Sequence, residues 1–236
     1  MSRSSHINQP GGVFRESVLK NARGRERELR SLADAVRRLI HVTVTNTASR
    51  EETAEAARQL HELADRLEPG LPAERTPRYA DIGEPSEPHD YFLYDCVLGL
   101  YNPLALPVEM EWDPPRALGR ARFTTAYEGP PGCVHGAVLA AVFDQIFNIA
   151  NLMSRTAGPT RELSLTYRRP TPLEADLLFE AQVEEYDGRR IVTTGRATHR
   201  GVVTVEARGL FIELPRDHVL SMADWVNDAG GSEDEG

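Results

Sequence analysis

The apolar segment from Val134 to Met153 constrains the fold of this chain more than any other feature. It follows a lead-in rich in glycine and proline, "GPPGCVHG" at 129–136, and it is long enough for a helix of about five turns. His135 lies at its start and Asp144 in its middle. A segment that carries ionisable and further polar residues is a poor membrane span. The sequence therefore predicts a long helix that is buried in a protein core.

Several segments on both sides of this helix have the alternating or clustered apolar residues of β-strands. Two precede the helix and three or four follow it, and Asp187-Gly188 between two of the later ones predicts a type I′ hairpin turn. An apolar helix followed by antiparallel strands is best buried when the sheet wraps around it. The predicted class is α+β, and this layout is the hotdog fold. The strands are expected within 103–113, 117–129, 161–169, 176–188, 189–201 and 202–214.

The pattern of residues divides the chain into five parts. The second part predicts a helical hairpin with one apolar face, in which Ser49 and Glu52 form a capping box. Polar composition predicts disorder at the start of the chain and an acidic tail at its end. The parts are 1–12 (disordered), 13–68 (helical hairpin extension), 69–90 (linker or surface arm), 91–215 (hotdog domain) and 216–236 (short helix and acidic tail).

Charge and cysteine content narrow the classes of function. The formal net charge is −9, and a chain this acidic is a poor candidate for nucleic acid, whose binding depends on neutralising phosphates. The two cysteines, Cys96 and Cys133, belong to no CxxC motif or Cys/His cluster. We therefore expect reduced thiols, no metal site and a cytoplasmic location. The first residues have no apolar run of the kind found in signal peptides.

The segment "EGPPGCVHGAVLAAVFD" at 128–144 resembles the signature of PaaI-like acyl-CoA thioesterases in the hotdog, or 4-hydroxybenzoyl-CoA thioesterase, superfamily. That signature has His-Gly-Gly, a small or apolar run, and an Asp nine residues after the His. The lead-in is similar to the "GPPG…HGG" subgroup, and "TRELSLTYRRPTPLEADL" at 160–177 resembles the family's next strand. The resemblance covers about residues 100–214.

The resemblance implies hydrolysis of an acyl-CoA to a free acid and CoA. It implies no cofactor, because coenzyme A is part of the substrate. It also implies a homodimer or a dimer of dimers with shared active sites, and no membrane partner. Acyl-CoA is therefore the expected small-molecule ligand.

The resemblance assigns roles to four residues. Asp144 matches the catalytic carboxylate, which acts as a general base on water or as a nucleophile. His135 matches the residue that orients the site, the Gly136 N–H polarises the thioester carbonyl, and Thr160 positions water. The physical chemistry of the segment is consistent with these roles. A helix N-terminus presents free N–H groups at the positive end of its dipole, and a carboxylate among apolar side chains needs strong partners.

Five further residues are expected to contact the substrate. Three flank the His-Gly pair, and two arginines end a strand where the resemblance puts the entrance for CoA. Arginine suits phosphate groups because its guanidinium can donate two parallel hydrogen bonds. The five are Gly132, Val134, Ala137, Arg168 and Arg169.

The chain departs from the family pattern at two positions. Ala137 replaces the second Gly of His-Gly-Gly and narrows the approach to the helix N-terminus. Gly129 stands where many members carry an Asn that assists the oxyanion hole, although the subgroup also lacks that Asn. The first departure leaves open a module that binds acyl-CoA without turnover.

Other interpretations also stay open. Hotdog hydratases and dehydratases place Asp and His in the reverse order at shorter spacing, which disfavours that activity here. The helical hairpin is expected to dock on its own domain, and the alternatives are pairing with a partner or covering an acyl tunnel. The last interpretation is a scaffold protein in which the hairpin, and not the hotdog domain, carries the function.

Overall fold

Three continuous stretches of the chain are described by the computed structural model. The segments predicted to be disordered at the start and acidic at the end lie outside the described residues, as does most of the predicted linker. The predicted domain boundaries therefore stay predictions. The described residues are 24–71, 92–154 and 158–214, together with Ala22, Pro88 and Thr156.

One antiparallel sheet of six strands forms the framework for the central helix. The strands are β1 (Val108–Asp113), β2 (Arg116–Ala121), β3 (Thr160–Tyr167), β4 (Leu177–Tyr186), β5 (Arg190–His199) and β6 (Val202–Ile212). Their order is β1-β2-β4-β5-β6-β3, so the strand that follows the central helix crosses to the far edge of the sheet. β3 pairs with β6 alone among the described strands and contains no buried residue. One side of β3 is therefore an exposed sheet edge.

The predicted central helix is α3 (Gly136–Met153), which packs against β2, β4 and β5. Nine of its residues are buried. The rings of Phe143 and Phe147 contact those of Phe179 and Phe211, with centroids 5.5 and 6.3 Å apart. By length and composition alone α3 could cross a membrane, but here the sheet covers its most apolar face. The predicted hotdog arrangement of a sheet around an apolar helix is confirmed.

The turn between β4 and β5 differs from the predicted type I′. That type needs positive φ at both Asp187 and Gly188, and only Gly188, at +90°, has it. The Asp187 carboxylate accepts hydrogen bonds from the backbone N–H groups of Arg190 (2.8 Å) and Arg189 (3.2 Å), which lower its pKa. The Asp187 N–H donates to the Arg190 carbonyl, so the turn is centred on Gly188 and Arg189. The prediction missed that an Asp can fix a turn from its first position.

Two helices precede the sheet, α1 (Glu26–Thr45) and α2 (Arg50–Leu67). The predicted capping box at the start of α2 is confirmed, because Ser49 accepts from the Glu52 N–H and Glu52 accepts from the Ser49 N–H. The segment "HVTVTN" at 41–46, whose sequence is compatible with either an extension of the first helix or a break in it, continues α1 to Thr45, and Asn46 is the C-cap.

The two N-terminal helices differ in how they meet the rest of the chain. In α1, Ala33 is buried, and the Arg37 guanidinium donates to the carbonyl oxygens of Gly99 (2.8 Å) and Asn102 (2.7 Å). α1 also packs against Thr125–Tyr127, the turn that leads towards α3. By contrast, no residue of α2 is buried. The expected docking on the chain's own domain therefore holds for α1 and not for α2.

Candidate active site

The N-terminus of α3 is capped by the side chain of His135. This residue is extended (φ −60°, ψ 134°), and its Nδ1 accepts a hydrogen bond from the Ala137 N–H at 3.0 Å. In the neutral imidazole the proton is then on Nε2. Within the described part of the chain, the Gly136 N–H has no acceptor. The helix therefore presents one unused N–H group at its positive end.

The lead-in loop is fixed by hydrogen bonds that its backbone makes with the Glu128 side chain and with residues 171–173. Gly132 has φ of +72°, its N–H donates to the Glu128 carboxylate at 2.7 Å, and its carbonyl accepts from the Leu173 N–H at 3.0 Å. Val134 is 4% exposed, and its N–H donates to the Thr171 carbonyl at 2.8 Å. Gly132 and Val134, both expected near substrate, thus have evident structural tasks. Gly132 supplies a left-handed conformation and Val134 belongs to the core.

The structure also explains the glycine at position 129. A Cβ atom there would lie 2.8 Å from the Cα of His135, which real Cβ atoms essentially never do. An Asn of the kind found at this position in the family that the sequence resembles could not fit without moving His135, which caps α3. The departure from the family pattern is therefore a steric requirement of this loop.

Asp144 and Thr160 are brought together from α3 and the first residue of β3. The Thr160 hydroxyl donates to Asp144 Oδ1 at 2.7 Å. The Asp144 side chain lies on the half-buried face of α3, and its backbone carbonyl accepts from the Asn148 amide at 3.0 Å. The partner that we expected for this carboxylate is therefore the Thr160 hydroxyl, sixteen residues further along the chain. The other carboxylate oxygen, Asp144 Oδ2, has no hydrogen-bond partner among the described residues.

Tyr167 is a site residue to which the sequence assigned no role. Its hydroxyl donates to the Gly136 carbonyl at 3.0 Å, joining the end of β3 to the first residue of α3. A Cβ atom at Gly136 would lie 2.9 Å from this hydroxyl, so the contact needs a glycine. Tyr167 belongs to the segment 160–177 that resembles the family's next strand, but nothing in that segment indicates a contact with Gly136.

The two arginines proposed for phosphate binding already have protein partners. Arg168 donates to the Glu206 carboxylate from Nε (2.9 Å) and from an Nη (2.7 Å), and Arg169 donates to the Val203 carbonyl at 3.1 Å. Both side chains are exposed, so these contacts can exchange for a ligand with little loss. Ala137 is also exposed and has a helical backbone that alanine adopts freely.

Comparison with known proteins identifies the family. A family model described as the thioesterase superfamily matches residues 131–208. The crystal structure of protein RHA08564, a thioesterase superfamily protein, is 32% identical, with a TM-score of 0.67 over 78% of this chain and 94% of that chain. The matched part of this chain is longer than the segment 91–236. It therefore includes residues before position 91.

Curated relatives match a shorter region. Acyl-coenzyme A thioesterase THEM4 of Xenopus laevis is 30% identical over 89 residues, which are 37% of this chain and 40% of that protein. THEM4 of Mus musculus is 28% identical over 96 residues, 40% of this chain and 41% of that protein. The matches thus span about two fifths of the length of these relatives. The resemblance found in the sequence is confirmed at the level of the superfamily, and the "GPPG…HGG" subgroup stays a prediction.

Proposed function

Because the chain belongs to the thioesterase superfamily, we propose that it hydrolyses an acyl-CoA thioester to a free acid and CoA. Asp144 is the general base, and the Gly136 N–H is the oxyanion donor. One observation carries the proposal: a carboxylate held by a hydroxyl group lies on the same helix whose N-terminus has an unused N–H. The names of the THEM4 relatives support acyl-CoA as the substrate class.

The proposed reaction uses these groups in sequence. The thioester carbonyl oxygen accepts a hydrogen bond from the Gly136 N–H, and the α3 dipole stabilises the negative charge that develops there. Asp144 takes a proton from water as the water oxygen attacks the thioester carbon. The C–S bond then breaks, and the CoA thiolate leaves and takes up a proton. One oxyanion donor contributes about 3–4 kcal/mol to such a barrier.

The hydrogen bond between Thr160 and Asp144 favours a general base over a nucleophile. The Thr160 hydroxyl already donates its hydrogen to Asp144 Oδ1. It can therefore only accept a hydrogen bond from water. A water molecule that donates one hydrogen to Thr160 and the other to Asp144 Oδ2 keeps its lone pairs free for the thioester carbon. The arrangement therefore both orients the attacking water and prepares it for deprotonation.

We further propose that each site is shared between two copies of the chain. Gly136 and Asp144 are eight residues apart on α3, which is roughly 12 Å of rise and roughly 80° of rotation. That separation is long for two groups that act on one carbonyl. A site in which Gly136 of one protomer faces Asp144 of its partner removes the difficulty. It would also cover the half-buried Asp144 and exclude bulk water.

The direct test is release of CoA from a panel of aromatic, short-chain and long-chain acyl-CoAs by the purified full-length chain. Turnover of at least one class, at a rate above that of an Asp144→Asn variant, is the expected result. Tight binding of CoA without turnover of any class would favour the alternative, a module that binds acyl-CoA. Hydration of an enoyl-CoA without CoA release would point to a hydratase.

Thr160→Ala is expected to lower kcat by about tenfold, less than the loss of Asp144, because one hydrogen bond to the base and to water is removed. Thr160→Ser keeps the hydroxyl and should retain most of the activity. Steady-state kinetics of the two variants on one substrate make the comparison. Equal losses in both would show that the methyl group, and not the hydroxyl, matters at this position.

Replacing Arg168 and Arg169 together by Gln is expected to raise KM several-fold with little change in kcat, because a phosphate contact is lost in ground state and transition state alike. The matched control is Arg116→Gln with Arg120→Gln on β2. It also removes two exposed arginines that pair with carboxylates. Calorimetric titration with CoA supplies the binding constant directly. If both pairs shift KM equally, the effect is one of overall charge and these arginines leave the proposed site.

A further inference from the structure

An open apolar groove lies between α1 and α2. Its volume is about 580 Å³, and aliphatic side chains from both helices line it, among them Leu32, Val36, Leu39, Leu60 and Leu63. Leu32 is 45% exposed and Leu60 is 40% exposed. The groove belongs to neither the candidate active site nor the sheet.

Leaving these apolar side chains in contact with water lowers the hydrophobic stabilisation of the folded chain. Burying a Leu side chain fully is worth about 1.5–3 kcal/mol, and the leucines of α2 gain only part of this because Leu60, Leu63 and Leu67 stay 40%, 37% and 53% exposed. A contiguous apolar surface of this kind marks an interaction site.

The spacing of the apolar side chains favours a helix as the occupant. In α1, Leu29, Leu32, Val36 and Leu39 follow one another at intervals of three, four and three residues. In α2, the groove residues Leu60, Ala64 and Leu67 follow at intervals of four and three. This is the heptad spacing with which helices pack side by side in coiled coils and four-helix bundles.

Charge indicates which helix fits. α1 carries four arginines against three acidic residues, and α2 carries three arginines against five acidic residues. Pairing α1 with α2 therefore brings together helices of opposite net charge, whereas pairing like with like does not. A second copy of the chain offers such a pair twice over, related by one twofold axis.

We infer that the groove is filled by the α1–α2 hairpin of a second copy of this chain. The α2 helix of each chain lies against the α1 helix of the other, so that the two hairpins form an intertwined four-helix bundle. Each chain thereby buries the apolar face of α2, which its own domain leaves exposed. This interface does not depend on catalysis and would exist in an inactive protein.

Cross-linking between two differently tagged full-length chains tests the inference. Both chains carry Cys96→Ser and Cys133→Ser; one also carries Leu32→Cys in α1 and the other Leu63→Cys in α2. After co-production and mild oxidation, the expected product is a disulfide-linked dimer that contains both tags. Its yield should exceed at least fivefold that of either chain oxidised alone.

The control pair is Arg38→Cys with Glu62→Cys, which lie on the faces of α1 and α2 away from the groove. Equal yields from the two pairs would overturn the inference, as would the absence of the mixed dimer. A single chain with both Leu32→Cys and Leu63→Cys should likewise cross-link to a partner. A disulfide within one chain, at monomer mass, would instead mean that the chain closes its own groove.

A second set of variants separates packing from chance proximity. In the cross-linking background, adding Leu60→Gln and Ala64→Gln places polar groups in the groove and is expected to lower the mixed-dimer yield several-fold. Glu62→Gln with Asp65→Gln adds the same side chains on the opposite face of α2 and should leave the yield unchanged. An unchanged yield in both variants would contradict the proposed bundle.

Discussion

Asp144→Asn is expected to lower kcat by about 100-fold or more, while acyl-CoA still binds with nearly unchanged affinity. Asn keeps the shape of the side chain, and its carbonyl oxygen can still accept the hydrogen bond that Thr160 donates to Asp144 Oδ1. What is lost is the ability to take a proton from water, a step for which a positioned base contributes typically 10²–10⁴-fold. Binding survives because the substitution removes only an interaction made in the transition state.

The measurement is a single-substrate kinetic comparison, combined with titration of a non-hydrolysable acyl-CoA analogue. Gln145→Glu is unsuitable as a control, because Gln145 is 6% exposed and a new charge there would be buried. Asn148→Ala is suitable, since it removes only the amide that donates to the backbone carbonyl of Asp144. Turnover by Asp144→Asn within a few-fold of the unaltered chain would rule out a catalytic carboxylate at this position.

Much of the site was predictable because its parts lie on one regular helix. Once α3 is predicted, its rise fixes the separation between Gly136 and Asp144, and its start fixes which N–H groups lack acceptors. The proximity of Thr160 followed from the resemblance alone, since nothing local says that β3 begins beside the middle of α3. The central helix and the strand positions were predictable because binary patterning reports which face is buried.

The contacts that the sequence did not predict either join residues far apart in the chain or depend on a local backbone conformation. The bond from Tyr167 to Gly136 spans 31 residues, and no periodicity encodes it. The cap formed by His135 depends on a ring nitrogen reaching a backbone N–H two residues on, which requires the extended backbone seen there. The exposed face of α2 was likewise beyond sequence patterning, because an apolar stripe indicates that a face is buried without saying against what.

The structure limits what the Ala137 side chain can change in the proposed site. Its backbone is helical, its N–H is already taken by His135, and its methyl group is exposed. The N–H that matters for the proposed chemistry is that of Gly136, and the side chain that a Cβ atom at Gly136 would meet is that of Tyr167. A methyl group at 137 therefore constrains the approach of substrate, and it removes no hydrogen-bond donor from the site.

Gly136→Pro, made together with Tyr167→Phe, is expected to lower kcat by about 100-fold to 1000-fold, the loss typical of one oxyanion donor. Proline lacks the N–H but suits the first position of a helix. The preceding His135 already has the extended conformation that a following proline requires (φ −60°, ψ 134°). The Tyr167→Phe change removes the hydroxyl that a new Cβ atom would meet at 2.9 Å.

The matched control is Gly136→Ala with Tyr167→Phe, which adds the same Cβ atom and keeps the N–H. It should lose much less activity than the proline variant, and the difference in kcat between the two isolates the donor. Melting temperatures within a few degrees of one another would show that α3 is intact in both. Equal kcat values for the proline and alanine variants would remove Gly136 from the proposed oxyanion site.

Mixing the proline variant with Asp144→Asn then asks whether two chains share a site. If Gly136 of one protomer works with Asp144 of its partner, every mixed dimer holds one site with both residues intact and one site with neither. Random mixing makes half of the dimers mixed, so about a quarter of the original activity should return from two nearly inactive proteins. If both residues act within one chain, no mixture contains an intact site and activity stays at the level of the parents. Recovery therefore requires both the oxyanion role of Gly136 and a site that two chains share.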